Sequence, residues 1–448
     1  MNRWRAVVVG TIPLVVSTAG AAGSLAAQVA RAPKSAARAT TVQGPRFEVD
    51  PMWPKPMPNR WILGSVTGLA VDARDHIFVL NIPDYFTART EIGSATNPPT
   101  GECCTPAPAV LEYDASGALV GHWGGPGQGY DWPTTPTGLA IDPQGNVWIG
   151  GSGGNDTRVL KFSHDGKFLM AVGKAVAAAA PTPAGAAPPD TAYAGVSNRG
   201  GRGGRGGRGG RGRGRGGPAV PTIPPNNASL ETFGGAMSIS FDAASNEAYV
   251  ADGSRNRRVA VVNMTTGAIK RVFGAYGKTP EDASQPAYSP GVASQQFGAV
   301  SCARASRDGM IYVCDRSNDR IQVFRTNGSF VKEKVVAPAT LGDGAVWDVA
   351  FSRDPQQKYL YVADGMNMKV WILDRASLEV IASFGDGGRQ PGEFYAVHSI
   401  ATDSKGNIYT GETYEGKRVQ KFNFKGVGAV AVTAGVVWPR TPGTGGRP

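Results

Sequence analysis

Short apolar stretches alternate with polar turns along most of the chain. One frame returns six times: an apolar strand, a Gly/Asp/Asn turn, a second apolar strand, a polar loop and a third strand. The clearest copies are Thr67-Gly-Leu-Ala-Val-Asp72 leading to Ile77-Phe-Val-Leu80, and Thr137-Gly-Leu-Ala-Ile-Asp142 leading to Val147-Trp-Ile149. Later copies begin near Met237, Val300, Trp347 and His398. Third strands open on a basic residue in most copies, as in Arg258-Val-Ala-Val-Val262, Arg320-Ile-Gln-Val-Phe324 and Arg418-Val-Gln-Lys-Phe422. A fourth strand ending in an aromatic residue and glycine recurs at His122-Trp-Gly124, Val272-Phe-Gly274 and Ser383-Phe-Gly385.

Six such repeats without helical periodicity predict an all-β fold, a six-bladed β-propeller over residues 46–438. Each small sheet has two apolar faces that only neighbouring blades can cover, and closing the ring removes long exposed edges. The sixth repeat lacks an evident fourth strand. Arg46-Phe-Glu-Val-Asp50 or Val430-Ala-Val-Thr433 completes it, and the N-terminal segment is favoured because Met52-Trp-Pro then leads directly into blade one. Two insertions interrupt the spacing. One, residues 84–109, lies in the first repeat; the other, residues 175–230, follows the second, is dominated by Ala, Pro, Gly and Arg, and predicts a disordered loop between blades two and three. Residues 439–448 read as a disordered tail.

The formal net charge of +11 raises nucleic acid as a partner, but its location removes most of that argument. Residues 1–45 contribute +5 and residues 199–217 contribute +7, so the rest of the chain carries about −1. Arg3 and Arg5 precede an apolar run over residues 6–16 and then small residues, the order of a secretory signal peptide, here 1–27, followed by a flexible tether, 28–45. Gly10 and Pro13 interrupt the run, which is short for a membrane-crossing helix, so no transmembrane span is expected in the mature chain. The expected location is periplasmic or extracellular.

The four cysteines fit export. Cys302 and Cys314 flank the turn Ser306-Arg-Asp-Gly309, so a hairpin sets them nearly opposite each other; a disulfide or two buried thiols both fit. Adjacent Cys103 and Cys104 fit a vicinal disulfide, separate partners or free thiols. No C-x-x-C spacing points to zinc held by cysteines. Asn227-Ala-Ser229 is an acceptor pattern for glycosylation in a eukaryotic source.

Asp315-Arg-Ser-Asn318-Asp-Arg320-Ile321, Asp364-Gly-Met-Asn367-Met-Lys369-Val370 and Asp252-Gly-Ser-Arg-Asn256-Arg-Arg258-Val259 resemble NHL repeats, whose fold is a β-propeller, and the resemblance covers about residues 66–426. The Asp ends the second strand, the Asn supports a turn, and the basic residue starts the third strand. Among NHL-type enzymes the chain resembles the peptidyl-α-hydroxyglycine α-amidating lyases, which hold zinc through a histidine at the first strand of blades two, four and six. Those positions are Thr137, Val300 or Ser301, and His398, so one ligand of three is present. The family's blade-four arginine falls at Arg316, while its blade-three tyrosine and blade-one arginine fall at Ser254 and near Asn81. Its calcium-linked Asp after the last histidine is Ser399. The resemblance implies His398 as a metal ligand and Arg316 as a catalytic residue of an incomplete zinc site.

The favoured functional reading is an exported scaffold, expected to be a monomer, that binds a peptide, glycan or protein at its rim or central funnel. Asp252, Asp315, Asp364, Glu412 and Trp347 are its candidate binding residues, with Arg316, Arg255, His398 and Tyr414 beside them. Ordinary turn formation accounts for strand-end carboxylates as well. The alternative is a zinc- or calcium-dependent enzyme: a lyase, or a protein similar to lactonase-type propellers, with the four carboxylates as oxygen ligands. His76 and His164 fall in turns and His122 in an outer strand, which leaves little for a zinc site. RNA or polyanion binding through the Arg-Gly-Gly tract is a further alternative; the tract lacks interleaved aromatics, and nucleic acid is not favoured.

Overall fold

Every repeat forms a four-stranded antiparallel blade in the computed structural model, which describes residues 40–83, 85–86, 90–176 and 223–439. Blade one comprises Ser65–Val71, Ile77–Ile82, Val110–Tyr113 and Leu119–Trp123. Blade two comprises Pro136–Ile141, Val147–Gly151, Val159–Phe162 and Phe168–Val172. Blade three runs through Ala236–Asp242, Glu247–Asp252, Arg258–Asn263 and Ile269–Phe273. Blade four runs through Val300–Ala305, Met310–Asp315, Arg320–Arg325 and Phe330–Val335. Asp348–Phe351, Tyr359–Asp364, Lys369–Asp374 and Val380–Phe384 form blade five. The first strand of each blade neighbours that of the next, and the first strand of blade six meets that of blade one, so the ring closes.

The burial pattern follows from this stacking. Second strands such as Tyr359–Asp364 are buried end to end because a neighbouring blade covers each face, whereas the outer strand Phe330–Val335 alternates half-buried and exposed positions. Trp148, Ile239, Val250 and Val262 join blades two and three; Cys302, Val323, Val349 and Leu360 join blades four and five.

Blade six is closed by the N-terminal segment. Thr41–Val49 lies antiparallel to Arg418–Ala431, with Thr41 opposite Ala431 and Val49 opposite Phe422, and Ile408–Glu412 and Val397–Thr402 complete the sheet. Val430 and Ala431 extend the third strand instead of forming a fourth. Beyond them the chain crosses to blade five, where Ala434 donates its N–H to Ser383 and Gly435 accepts from Gly385.

Two boundaries differ from expectation. Residues 41–45, assigned to the tether, begin the closing strand, because the sheet's pairing register continues past Phe47 to Thr41. Residues 223–230, assigned to the insertion, follow a bonded path: the Asn227 amide group binds Asp282 and the Arg257 N–H, which buries Asn227. The acceptor asparagine is therefore enclosed. The signal peptide, the tether up to residue 39, the Arg-Gly-Gly tract and residues 440–448 lie outside the described residues. Among the described residues no helix is long and apolar enough to cross a membrane. Cys302 and Cys314 face each other across their strands and are bonded, as are Cys103 and Cys104.

Candidate functional site

Antiparallel pairing sets the start of each inner strand beside the end of its second strand, at one face of the ring: Val300 lies opposite Asp315, and Val397 opposite Glu412. At this face Asp252, Asp315, Asp364 and Glu412 are fully buried. Asp252 accepts from Arg258 Nε at 2.8 Å, Asn256 Nδ2 at 2.8 Å and the Gly234 N–H at 2.7 Å. Asp315 repeats the pattern with Arg320 Nε at 2.9 Å, Asn318 Nδ2 at 2.8 Å and the Gly298 N–H at 2.8 Å. Glu412 accepts from Arg418 Nε at 2.8 Å, Gln420 Nε2 at 2.7 Å and the Tyr395 N–H at 3.1 Å. Asp364 takes Asn367 Nδ2 at 2.7 Å and Trp371 Nε1 at 2.8 Å. These carboxylates tie strand ends and entering loops within their own blades, and the structure does not bring them together. Burial pushes Glu412 up to about 7 against the pull of Arg418. Arg255 is likewise buried, donating to the Gly153 and Asp156 carbonyls of blade two.

Arg316, Trp347, His398 and Tyr414 do meet. The Arg316 guanidinium lies 4.4 Å from the centre of the Trp347 ring, which His398 and Tyr414 approach edge-on at 5.8 Å and 6.2 Å. Tyr414 Oη donates to Asp343 at 2.9 Å, and Trp347 Nε1 to the Gly344 carbonyl at 2.7 Å. His398 Nδ1 and Ser399 Oγ are 2.9 Å apart. Burial, then the charges of Arg316 and Arg304, hold the His398 pKa down at about 3. A neutral imidazole is available as a ligand, but its cationic neighbours oppose a metal ion there. The other zinc positions offer hydroxyls or the isopropyl group of Val300: Thr137 and Ser301 donate to the Ala236 and Val346 carbonyls. Asn81 braces Gly64 and Pro108, and Ser254 donates to Ser152. The space among Met237, Ser301, Trp347, His398 and their neighbours is only about 10 Å³, so side chains fill the axis here.

The opposite ends of the inner strands enclose a funnel of about 810 Å³. Val71, Ile141, Phe241, Ala305, Phe351 and Ala401 contribute to its wall, one from each blade. Arg304 borders both the funnel and the filled section, so the bidentate Arg304–Asp348 pair, at 2.9 Å and 2.7 Å, separates the two. The funnel is therefore blind, apolar along its wall and charged at its floor.

A second charged group stands at its mouth. Asp72 and Arg74 belong to the first turn of blade one and His164 to the last turn of blade two. Glu112, on the third strand of blade one and nearly buried, receives Arg74 Nη2 at 3.2 Å and His76 Nδ1 at 2.6 Å, and lies 3.1 Å from His164 Nε2. Arg74 Nη2 also reaches Asp72 at 2.8 Å and contacts His164 Nε2. Burial acts to raise the Asp72 pKa, but hydrogen bonds from the His76 and Arg74 amides and the Arg74 guanidinium hold it below the usual carboxylate range. Among the described residues, Asp72, Glu112 and His164 form the group whose donor atoms converge within 4.8 Å. Sequence reasoning placed His76 and His164 in turns but did not join them. The available signal was the repeat itself, since Glu112 occupies the strand position held by Lys161 in blade two and Lys421 in blade six.

No family model matches the sequence, and no curated protein matches it. Among solved structures, a streptogramin B lyase is similar at TM-score 0.42 and 10% identity, covering 86% of this chain and 98% of the other. A catalytically inactive virginiamycin B lyase from Staphylococcus aureus with quinupristin has TM-score 0.42 and 10% identity, covering 88% of this chain and 89% of its own. A selenomethionine-substituted virginiamycin B lyase from the same organism has TM-score 0.45 and 11% identity, covering 84% and 99%. At this level of likeness the comparisons carry no chemistry over to this chain.

Proposed function

We propose that this chain is an exported ligand-binding propeller that takes a short amphipathic peptide into its blind axial funnel. The observation that carries the reading is the funnel of about 810 Å³, walled by apolar residues from all six blades and closed at the Arg304–Asp348 floor. Its size and its few polar groups suit a small ligand. The charged groups that border it have both signs, Asp72 and Arg74 at the mouth and the Arg304–Asp348 pair at the floor, which suits a zwitterionic chain better than a polyanion. Export rests on the signal-like start of the sequence and is in keeping with two disulfides.

The predicted rim residues support this face over the other. Trp347, Asp252, Asp315, Asp364 and Glu412 are buried, so an incoming ligand meets the funnel wall instead. The test is retention of a random tetrapeptide pool by the full chain, read by mass spectrometry after ultrafiltration. The expected result is enrichment of peptides with apolar centres, lost when Ala401→Trp fills the funnel. Equal retention by the two proteins, or none by either, overturns the reading.

A further inference from the structure

We propose that Asp72, Glu112 and His164 form a binding site for a zinc-class divalent cation at the funnel mouth, with Arg74 as the internal cation that competes for the same position. This goes beyond the funnel reading and does not depend on what fills the funnel.

The repeats themselves show how the site arises. In blade two the turn residue Asp142 accepts from Asn146 and from Trp148 Nε1, and Lys161 neutralises it at 2.9 Å. Blade six builds the same turn with Asp403, Asn407 and Tyr409, and Lys421 sits opposite Tyr409. In blade one these positions become Asp72, His76, Phe78 and Glu112. Phe78 has no polar hydrogen to give the carboxylate, and Glu112 reverses the charge that lysine supplies elsewhere. The repeat's neutralised aspartate is thus replaced by two carboxylates on one side of the turn, and blade two adds His164.

Arg74 Nη2 marks the point where they converge, within 3.2 Å of both carboxylates and in contact with His164 Nε2. His164 Nε2 faces this point between the Arg74 donor and the Glu112 carboxylate at 3.1 Å, so a neutral ring of the Nδ1–H tautomer would turn its lone pair to an ion that replaces Arg74. One imidazole and two carboxylates suit a zinc-class ion with an open position, whereas calcium and magnesium favour oxygen alone. The supporting contacts are also in place: His76 Nδ1 bonds Glu112 at 2.6 Å, and Phe78 packs against the His164 ring at 5.2 Å, which fixes its orientation. The Arg74 side chain is 55% exposed, so it can rotate into solvent as the metal enters.

The test is titration of the metal-stripped full chain with zinc chloride by calorimetry, alongside His164→Ala, Glu112→Gln and Arg74→Ala. The expected result is about one zinc per chain, weakened at least about tenfold by His164→Ala and tightened by Arg74→Ala, which removes the competing charge. Cobalt(II) in place of zinc is expected to give visible absorption bands that His164→Ala abolishes. His164 lies on a half-exposed turn, so this variant decides the matter even where Glu112→Gln fails to fold. No saturable zinc binding in either the parent chain or Arg74→Ala, binding unchanged by His164→Ala, or a preference for calcium overturns the proposal.

Discussion

The Arg316 guanidinium stacks 4.4 Å from the centre of the Trp347 ring, where neither side chain is open to solvent and the propeller axis is filled. The indole therefore packs against a cation, the His398 ring and the Tyr414 ring together. Trp347→Ala removes all these contacts, with an expected loss of about 3–5 kcal/mol in urea unfolding. A loss below about 1 kcal/mol contradicts the role of Trp347 as an axial plug.

The Asp252–Arg258 pair locks the corner of blade three with both side chains fully buried. Removing one member leaves the other charge buried alone. Asp252→Ala is expected to cost about 3–5 kcal/mol, more than a paired Asp252→Leu/Arg258→Met replacement. Equilibrium unfolding of the two variants checks this ordering.

Acid should weaken the fold through His398. Its pKa in the folded chain, about 3, lies below the unfolded value of 6.5, so the unfolded chain binds the proton first as pH falls. This contribution is complete above pH 6.5 and is lost progressively towards pH 3. Between pH 7 and pH 4.5 the expected loss is on the order of 2 kcal/mol. His398→Gln, which does not titrate, is expected to flatten that part of the stability profile; an unchanged slope contradicts the assignment.

The N-terminal strand should be indispensable to closure. Deleting 1–49 removes Phe47 and Val49 from the core between blades five and six and exposes the edge of Arg418–Ala431, so this truncation is expected to melt at a lower temperature than one of residues 1–39, which keeps the whole closing strand. Melting and aggregation of the two truncations distinguish these outcomes.

The blades were legible because each repeat carries its own strand alternation and turn chemistry, and residues such as Asp142 and Asn146 are close in sequence. The Cys302 and Cys314 alignment was legible for the same reason. The charged group at the funnel mouth was not, because the 84–109 insertion separates His76 from Glu112 and hides the equivalence of Glu112 with Lys161. His164 joins them only through ring geometry. Trp347, Asp315 and Glu412 looked accessible as strand-end residues, but stacked blades and entering loops cover that end of the sheets. Local spacing establishes a corner; burial of that corner depends on the neighbouring blade.

Occupancy of the funnel is tested most directly with the fluorescent probe 8-anilinonaphthalene-1-sulfonate, whose aromatic body suits the apolar wall. The expected result is one saturable site per chain, weakened at least about tenfold by Ala401→Trp but not by Val331→Trp on the exposed outer strand of blade four. Undiminished binding in Ala401→Trp, or no saturable binding to the parent chain, contradicts the funnel as the ligand site.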